Sequence, residues 1–197
     1  MEEVKFLKES TDVCIWQYST NGQFTVKSFY NWLNGYRNLA PVNKFLWRKF
    51  IPPSRSTVVW RAFLGYLPTD DKLSQKGFCF SSRCCFCKDS YETISHLLVT
   101  CQVSKQLWLA ISSLFGVRAN CIGDFRSLIL DAISVQLSSQ LKILRNATIV
   151  STVWILWTER NNTIFNNQTV SVYNLLRLLW KCIKDEDLFR MGTTNGT

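Results

Sequence analysis

Four side chains with metal-binding chemistry lie within eighteen residues of one another: Cys84, Cys87, His96 and Cys101. Cys84 and Cys87 form a C-x2-C pair, whose turn lets two thiolates face the same ion. His96 is the single histidine of the chain. Three sulfurs and one imidazole are the typical ligands of a structural zinc site, and four protein ligands leave no open position for water or substrate. The spacing therefore predicts a Zn²⁺ ion that stabilises a fold and takes no part in catalysis.

The spacing of the last two ligands sets a geometric condition. His96 and Cys101 are five residues apart, which places them about 140° apart around an ideal α-helix. They can share one metal only if the helix ends or tightens between them. We therefore expect Cys101 to lie at or beyond the last helical turn.

The remaining cysteines leave alternatives open. Cys79 and Cys85 compete as ligands, and Cys85 also fits a core position, since cysteine often behaves as a small buried hydrophobe. Cys14, Cys121 and Cys182 are distant in the sequence and are interpreted as core or incidental thiols. We expect the cysteines to be reduced or metal-bound rather than paired.

Positive charge is concentrated just before and within the cysteine cluster. Residues 37–88 carry ten lysines and arginines against two aspartates, a net charge of +8 within the total of +9. A basic stretch of this kind suits a nucleic-acid backbone. The predicted contacts are Arg48, Lys49, Arg55, Arg61, Lys72, Lys76, Arg83 and Lys88.

Aromatic residues are interleaved with this basic stretch, at Phe45, Trp47, Phe50 and Trp60. Bases can stack on exposed aromatic rings. Large aromatic side chains mostly enter cores, however, and we expect these four to do so.

The elements that must position these residues are mainly helical. Residues 12–18 and 23–27 flank an Asn-Gly turn and predict an N-terminal β-hairpin. A short helix follows from Ser28, another lies between Pro53 and Gly65, and Thr69 is a candidate N-cap for a third. Beyond the zinc-stapled segment, helical periodicity predicts helices at 103–115, 125–137, 141–165 and 170–189. On the last of these we expect the apolar stripe to be core: Tyr173, Leu176, Leu179, Trp180 and Ile183.

Several functional classes are disfavoured by the sequence. The Asp70-Asp71 pair is explained by a helix N-terminus, and the other carboxylates show no shared pattern that would hold Mg²⁺ for a polymerase, endonuclease or RNase H. With its one histidine committed to metal, the chain has no base for Ser-His or Cys-His catalysis. Because these catalytic groups are missing, the chain is interpreted as a non-enzyme with no small-molecule substrate. We also expect no signal peptide and no membrane span.

An ordered set of short motifs resembles a known family. The set covers about residues 12–110 and comprises Phe24-Thr25-Val26-Lys27-Ser28-Phe29-Tyr30, Trp47, Ile51-Pro52-Pro53, Trp60-Arg61-Ala62, Leu67-Pro68-Thr69, Leu73, Lys76-Gly77, Cys84-x2-Cys87, Glu92-Thr93, His96-Leu97-Leu98, Cys101 and Trp108. It is similar to the zinc-binding domain that follows the polymerase in plant non-LTR retrotransposon reverse transcriptases. Trp154-x2-Trp157 and Glu159-Arg160-Asn161 look like the helical region that often follows.

The resemblance implies two regions, a zinc-binding domain at 1–118 and a helical region at 119–197, whose tail we expect to be frayed. It also implies that Cys84, Cys87, His96 and Cys101 are the metal ligands, with Cys85 in a spacer position. The implied role is a non-catalytic zinc module that handles element RNA or DNA inside the cell, and the resemblance points to the nucleus. The alternative is a protein-interaction or scaffold module, or an inactive element remnant, in which zinc only supports folding.

Overall fold

The computed structural model describes residues 14–33, 39–78, 82–118 and 123–185. The chain divides into two compact units, residues 1–39 and 40–197. The described residues are mainly helical, which confirms the predicted helical class. The predicted boundary between the two regions, at residues 118 and 119, stays a prediction, and the tail predicted to be frayed lies outside the described residues.

The first unit contains one helix, α1 (Val26–Leu33), and no strand among its described residues. The predicted β-hairpin is therefore wrong, although its residues 12 and 13 lie outside the described part. The Asn-Gly turn does form, with Gly22 at φ 68° and the Trp16 amide donating to the Gly22 carbonyl at 2.7 Å. Thr25 and Ser28 then cap the helix reciprocally, the amide of each donating to the hydroxyl of the other at 3.1 and 3.0 Å. This cap draws the second half of the hairpin into helix α1.

Aromatic rings hold the first unit together. The Trp16 ring lies 5.2 Å from the rings of both Tyr18 and Phe24 and 6.1 Å from the ring of Trp32, each in an edge-on arrangement. Such pairs add stabilisation beyond the apolar area that they bury.

The second unit is a helical assembly around one long central helix. Its helices are α2 (Ala40–Leu46), α3 (Pro53–Leu64), α4 (Asp70–Ser74), α5 (Gln102–Phe115), α6 (Phe125–Ser134), α7 (Ser139–Asn166) and α8 (Val172–Asp185), with a π-helical turn at His96–Thr100. Helices α3, α5 and α8 and the π-helical turn all pack against α7. Among the described residues, no helix is both long and apolar enough to cross a membrane.

Helix α7 is buried over most of its middle. Residues 145–153 are all buried, including polar side chains such as Thr152, whose hydroxyl donates to the Thr148 carbonyl one turn earlier. Full burial explains why this segment lacks a simple amphipathic pattern, since a helix surrounded by others has no solvent face. The helix thereby gives its neighbours a common packing surface.

Helix α8 corrects the prediction of an apolar core stripe. Leu179 and Ile183 are buried as expected, but Tyr173 is 74% exposed, Trp180 55% and Leu176 38%. Consecutive helical residues are about 100° apart around the helix axis, so Leu179 and Trp180 cannot both point into the core. The outward side of α8 therefore carries large aromatic side chains.

Candidate metal centre

The structure brings the four predicted ligand side chains together. One ligand atom each from Cys84, Cys87, His96 and Cys101 lies within 4.8 Å of every other. Cys84 and Cys101 are fully buried, whereas Cys87 and His96 are partly exposed. Cys85 is not a member of this group, and Cys79 lies outside the described residues.

The C-x2-C pair sits on a tight backbone loop. The Cys84 amide donates to the Ser90 carbonyl at 2.8 Å, and the Lys88 amide donates to the Cys84 carbonyl at 2.8 Å. Lys88 adopts a left-handed conformation with φ 61°, which is costly for a residue with a Cβ atom. In this strained conformation the loop turns the side chains of Cys84 and Cys87 toward one point.

A π-helical turn brings His96 and Cys101 together. The Cys101 amide donates to the His96 carbonyl at 2.7 Å, a bond between residues five apart. Such a bond places residues i and i+5 one turn apart on the same side. The predicted condition is met by widening of the helix and not by tightening, and Cys101 lies at its end with non-helical φ −58° and ψ 140°.

Helix α5 stabilises this turn by hydrogen bonding to its carbonyl groups. The Ser104 hydroxyl donates to the Leu97 carbonyl at 2.5 Å, and the Trp108 indole donates to the Leu98 carbonyl at 2.7 Å. Both donors are fully buried. A π-helical turn moves backbone carbonyl groups away from their usual amide donors. The Ser104 hydroxyl and the Trp108 indole supply donors to two of these buried carbonyls.

The imidazole of His96 is oriented by both of its nitrogens. Nε2 lies 3.4 Å from the Cys87 sulfur, and Nδ1 lies 3.4 Å from the Thr100 hydroxyl. With its proton on Nδ1, the ring donates to Thr100 and turns the Nε2 lone pair toward the sulfurs. This is the arrangement that orients a zinc-binding histidine.

The donor set and spacing fit zinc. Bond lengths of about 2.3 Å to sulfur and about 2.0 Å to nitrogen imply tetrahedral edges of about 3.8 Å between sulfurs and about 3.5 Å between sulfur and nitrogen. The sulfurs of Cys84 and Cys101 are 3.8 Å apart, and the Cys87–His96 separation is 3.4 Å. A zinc ion held by these four donors has a closed coordination shell.

The protonation states of the metal-free cluster are uneven. The hydrogen bond to Cys101, together with burial, raises the pKa of Cys84 well above its ordinary value, whereas the same bond lowers the pKa of Cys101. Burial, assisted by the charge of Lys105, lowers the pKa of His96. Because zinc is bound by thiolates, binding must displace the proton that these contacts hold on Cys84.

Cys85 faces a different environment from the four clustered residues. It lines a surface cavity of about 330 Å³ beside the end of α7, together with Phe86, Lys88 and Thr163. Burial, with the nearby Glu92 charge, raises its pKa to about 12. Such a thiol remains protonated and is unreactive at neutral pH.

A buried ion-pair network anchors the metal segment, which we define as residues 84–101, to α7. The Arg160 guanidinium donates to Glu92 at 2.6 Å and to Asp70 at 3.0 Å, and the Arg160 and Glu92 side chains are 5% and 0% exposed. Burial raises the pKa of Glu92, and the Arg160 guanidinium opposes this rise. The Asp70 amide at the start of α4 also donates to Glu92 at 3.3 Å. Three separate parts of the chain therefore meet in this network beside the cluster.

Glu92 and Arg160 lie within the motifs that carry the family resemblance, but the sequence alone indicates no role for either residue. The two residues have opposite charges, but 68 positions separate them. No local periodicity can predict contact over such a distance. Asp70 begins a helix as expected, and its ion pair with Arg160 adds a second reason for its position.

The eight predicted nucleic-acid contacts have different environments. The exposed ones are Arg48, Lys49, Arg61, Lys76, Arg83 and Lys88. Arg55 is partly buried and donates to the Ser151 hydroxyl of α7 at 3.0 Å, and Lys72 lies 4.0 Å from Asp71. Arg55 therefore has a packing role that complicates its use as a binding residue.

The aromatic residues near these cations also differ. Phe45 is buried at 3% exposure, as expected, whereas Trp47 is 47% exposed, contrary to the expectation that it enters the core. Trp47 follows the last residue of α2 and precedes the exposed Arg48 and Lys49. An aromatic ring and two cations are thus adjacent on the surface.

Comparison with known proteins places this centre in a family context. Residues 24–108 match the family described as zinc-binding in reverse transcriptase. A protein of Arabidopsis thaliana whose name refers to ribonuclease H is 26% identical over 100 residues, which is 49% of this chain and 16% of that relative. The chain therefore spans about a sixth of the length of this curated relative. No solved structure matches. The family match is to a zinc-binding region rather than a polymerase or nuclease domain, and it confirms the predicted resemblance over a segment that contains all four clustered side chains.

Proposed function

We propose that this chain is a non-catalytic zinc module of retrotransposon origin that binds nucleic acid. The observation that carries the zinc part is the closed set of four protein donors, which leaves no coordination position for a substrate. When bound, the ion cross-links the C-x2-C loop to the π-helical turn and neutralises the thiolates.

The nucleic-acid part is supported by the exposed cations. We define the basic surface as Arg48, Lys49, Lys76, Arg83 and Lys88, all of which are exposed. Arg61 is also exposed but is left out because its guanidinium donates to the Tyr66 carbonyl at 3.4 Å. Trp47 lies beside the first two, and its half-exposed ring suits a stacked base. Within the described residues, no ion pair neutralises these five side chains.

The proposed partner is RNA or DNA, with no small-molecule substrate, and the proposed location is the nucleus. The name of the Arabidopsis thaliana relative refers to ribonuclease H, an enzyme class that acts on nucleic acid, which supports this choice of partner. The resemblance to retrotransposon reverse transcriptases also supports it.

Salt-dependent binding tests the proposal. The zinc-loaded protein is titrated into fluorescently labelled single-stranded oligonucleotide, and anisotropy is recorded between 50 and about 300 mM salt. If all five cations contact phosphates, the logarithm of the binding constant falls against the logarithm of salt concentration with a slope of about −3.5. Arg48→Ala combined with Lys49→Ala makes this slope shallower by about 1.4.

A matched control is Lys27→Ala, which removes an exposed cation from the first unit. The control is expected to bind as the wild type does. Salt-insensitive binding, or a double variant that binds like the wild type, would refute the role of the basic surface. The zinc ion would then support folding alone, as in a scaffold module or an element remnant.

A further inference from the structure

Helix α8 has an outward face that combines aromatic rings and cations. Tyr173 is 74% exposed and Trp180 is 55% exposed, while Arg177, Lys181 and Lys184 are also exposed. On a helix with about 100° per residue these five side chains fall within an arc of about 100°. We call this set the α8 face.

The α8 face is not needed to attach the helix. Leu175, Leu179 and Ile183 dock α8 onto the second unit and are 0%, 6% and 9% exposed. Helix α8 packs against α7 and α5, so the apolar side already has its partners. The two outward aromatic rings therefore contribute little to the core.

The charge of the α8 face is uniformly positive. Residues 170–184 contain three cations and no acidic residue, and the acidic run Asp185-Glu186-Asp187 follows only at the end of the helix. No ion pair engages Arg177, Lys181 or Lys184 within the part of the chain that the structure describes. The Lys184 ammonium lies 5.1 Å from the centre of the Trp180 ring, which holds a cation directly beside an aromatic face. The complementary ligand is a polyanion that carries flat rings.

We propose that the α8 face is a second binding site for single-stranded nucleic acid, with bases stacked on Tyr173 and Trp180 and phosphates placed at Arg177 and Lys181. This inference shares with the proposed function the premise that the protein binds nucleic acid, but it concerns a different surface. The two rings are seven residues apart, or about 10 Å along the helix axis, so each can receive its own base. Stacking is tolerant of sequence because every base has a π-face.

Two other occupants fit this face less well. A basic amphipathic helix binds a bilayer through its apolar side, but here that side is already buried against the protein. An acidic peptide would match the cations but would leave the two rings without flat partners. Single-stranded nucleic acid uses both features at once.

The experiment uses the full zinc-loaded chain and a labelled 20-nucleotide oligothymidine. Trp180→Ala and Tyr173→Ala are each expected to raise the dissociation constant roughly five-fold or more. Phe165→Ala is the matched control, because Phe165 is 74% exposed like Tyr173 and lies on α7. Circular dichroism and zinc content establish that each variant is folded.

Charge removal gives a second readout that a purely structural role would not move. Arg177→Ala combined with Lys181→Ala is expected to make the salt slope shallower by about 1.4. Ultraviolet cross-linking followed by peptide mapping is expected to place the oligothymidine on the peptide that contains Trp180.

The other outcomes distinguish the α8 face from the basic surface and from the other occupants. If the α8 variants bind like the wild type while Arg48→Ala with Lys49→Ala weakens binding, the α8 site fails and the proposed function stands. If only the α8 variants weaken binding, the basic surface fails instead. Absence of wild-type binding refutes both. Tighter binding of poly-glutamate, or a dimer dissociated by Trp180→Ala, would assign the face to a protein partner.

Discussion

The Arg160 network offers a quantitative test of how the metal segment is anchored. Arg160→Met keeps most of the aliphatic stem and removes the guanidinium. The change deletes hydrogen bonds of 2.6 and 3.1 Å to Glu92 and of 3.0 Å to Asp70, together with a stack 5.2 Å above Trp157. It leaves the Glu92 carboxylate, which is fully buried, without its counter-ion.

The expected cost is large because a buried charge loses its partner. Removing one member of a buried ion pair typically costs about 3–5 kcal/mol, a substantial part of the roughly 5–15 kcal/mol that stabilises a typical domain. Glu92→Gln costs less, about 1–3 kcal/mol, because Arg160 keeps its ion pair with Asp70. The double variant carries no buried charge at position 92, so its cost falls below the sum of the two by at least about 1 kcal/mol.

Urea denaturation of the zinc-loaded protein, followed by circular dichroism, measures these free energies of unfolding. Lys72→Met is the control, since Lys72 lies 4.0 Å from Asp71 at 34% side-chain exposure, and such a pair contributes about 1 kcal/mol or less. A cost below about 1 kcal/mol for Arg160→Met, or strictly additive costs in the cycle, would refute the anchoring role. In that case the helical packing alone would hold the metal segment in place.

Four further substitutions test the ligand assignment, the cysteine loop and one ion pair. Cys87→Ser and His96→Ala should each lose zinc, measured by elemental analysis, together with cooperative unfolding; a folded variant that retains one zinc per chain would contradict the ligand assignment. Lys88→Gly should raise the unfolding free energy by about 1 kcal/mol, since glycine accepts the φ of 61° without strain, and a loss of stability in urea would contradict this. Burial acts to raise the pKa of Asp131, but hydrogen bonds from Arg118 outweigh it and hold the pKa below its ordinary value. That stabilisation is present above about pH 4 and disappears as the pH falls through the folded pKa; Asp131→Asn should therefore destabilise by about 1 kcal/mol at pH 7 and by less at pH 3, whereas an equal loss at both would contradict the pairing.

The metal cluster could be predicted from sequence because its chemistry is local. Cys84 and Cys87 are joined by a short turn, and the single histidine falls at a suitable distance. The π-helical conformation between His96 and Cys101 was less predictable from the sequence. The π-helical turn is stabilised by the hydrogen bond from Trp108 in α5 and brings two metal ligands together, and neither contact is visible in local helical propensity.

Two other predictions failed because a local signal was incomplete. The Asn-Gly turn forms, but the Thr25–Ser28 cap competes with the second strand for the same residues. Periodicity found the apolar residues of α8 without separating the inward Leu179 from the outward Trp180. Amphipathic patterns identify a helix more reliably than they identify which large aromatic residues face solvent.

The position of the π-helical turn explains why the metal should govern folding beyond its own loop. Leu97, Leu98 and Val99 lie between two metal ligands and are 0–1% exposed, and the turn packs on both α5 and α7. Burial of each such side chain contributes about 1.5–3 kcal/mol, and the three together approach the stability of a whole domain. Without zinc, His96 and Cys101 are no longer held together, and the turn can revert to an ordinary α-helix. That change would rotate Leu97, Leu98 and Val99 away from the core. Zinc removal is therefore expected to unfold the second unit cooperatively and not merely to loosen the cysteine loop.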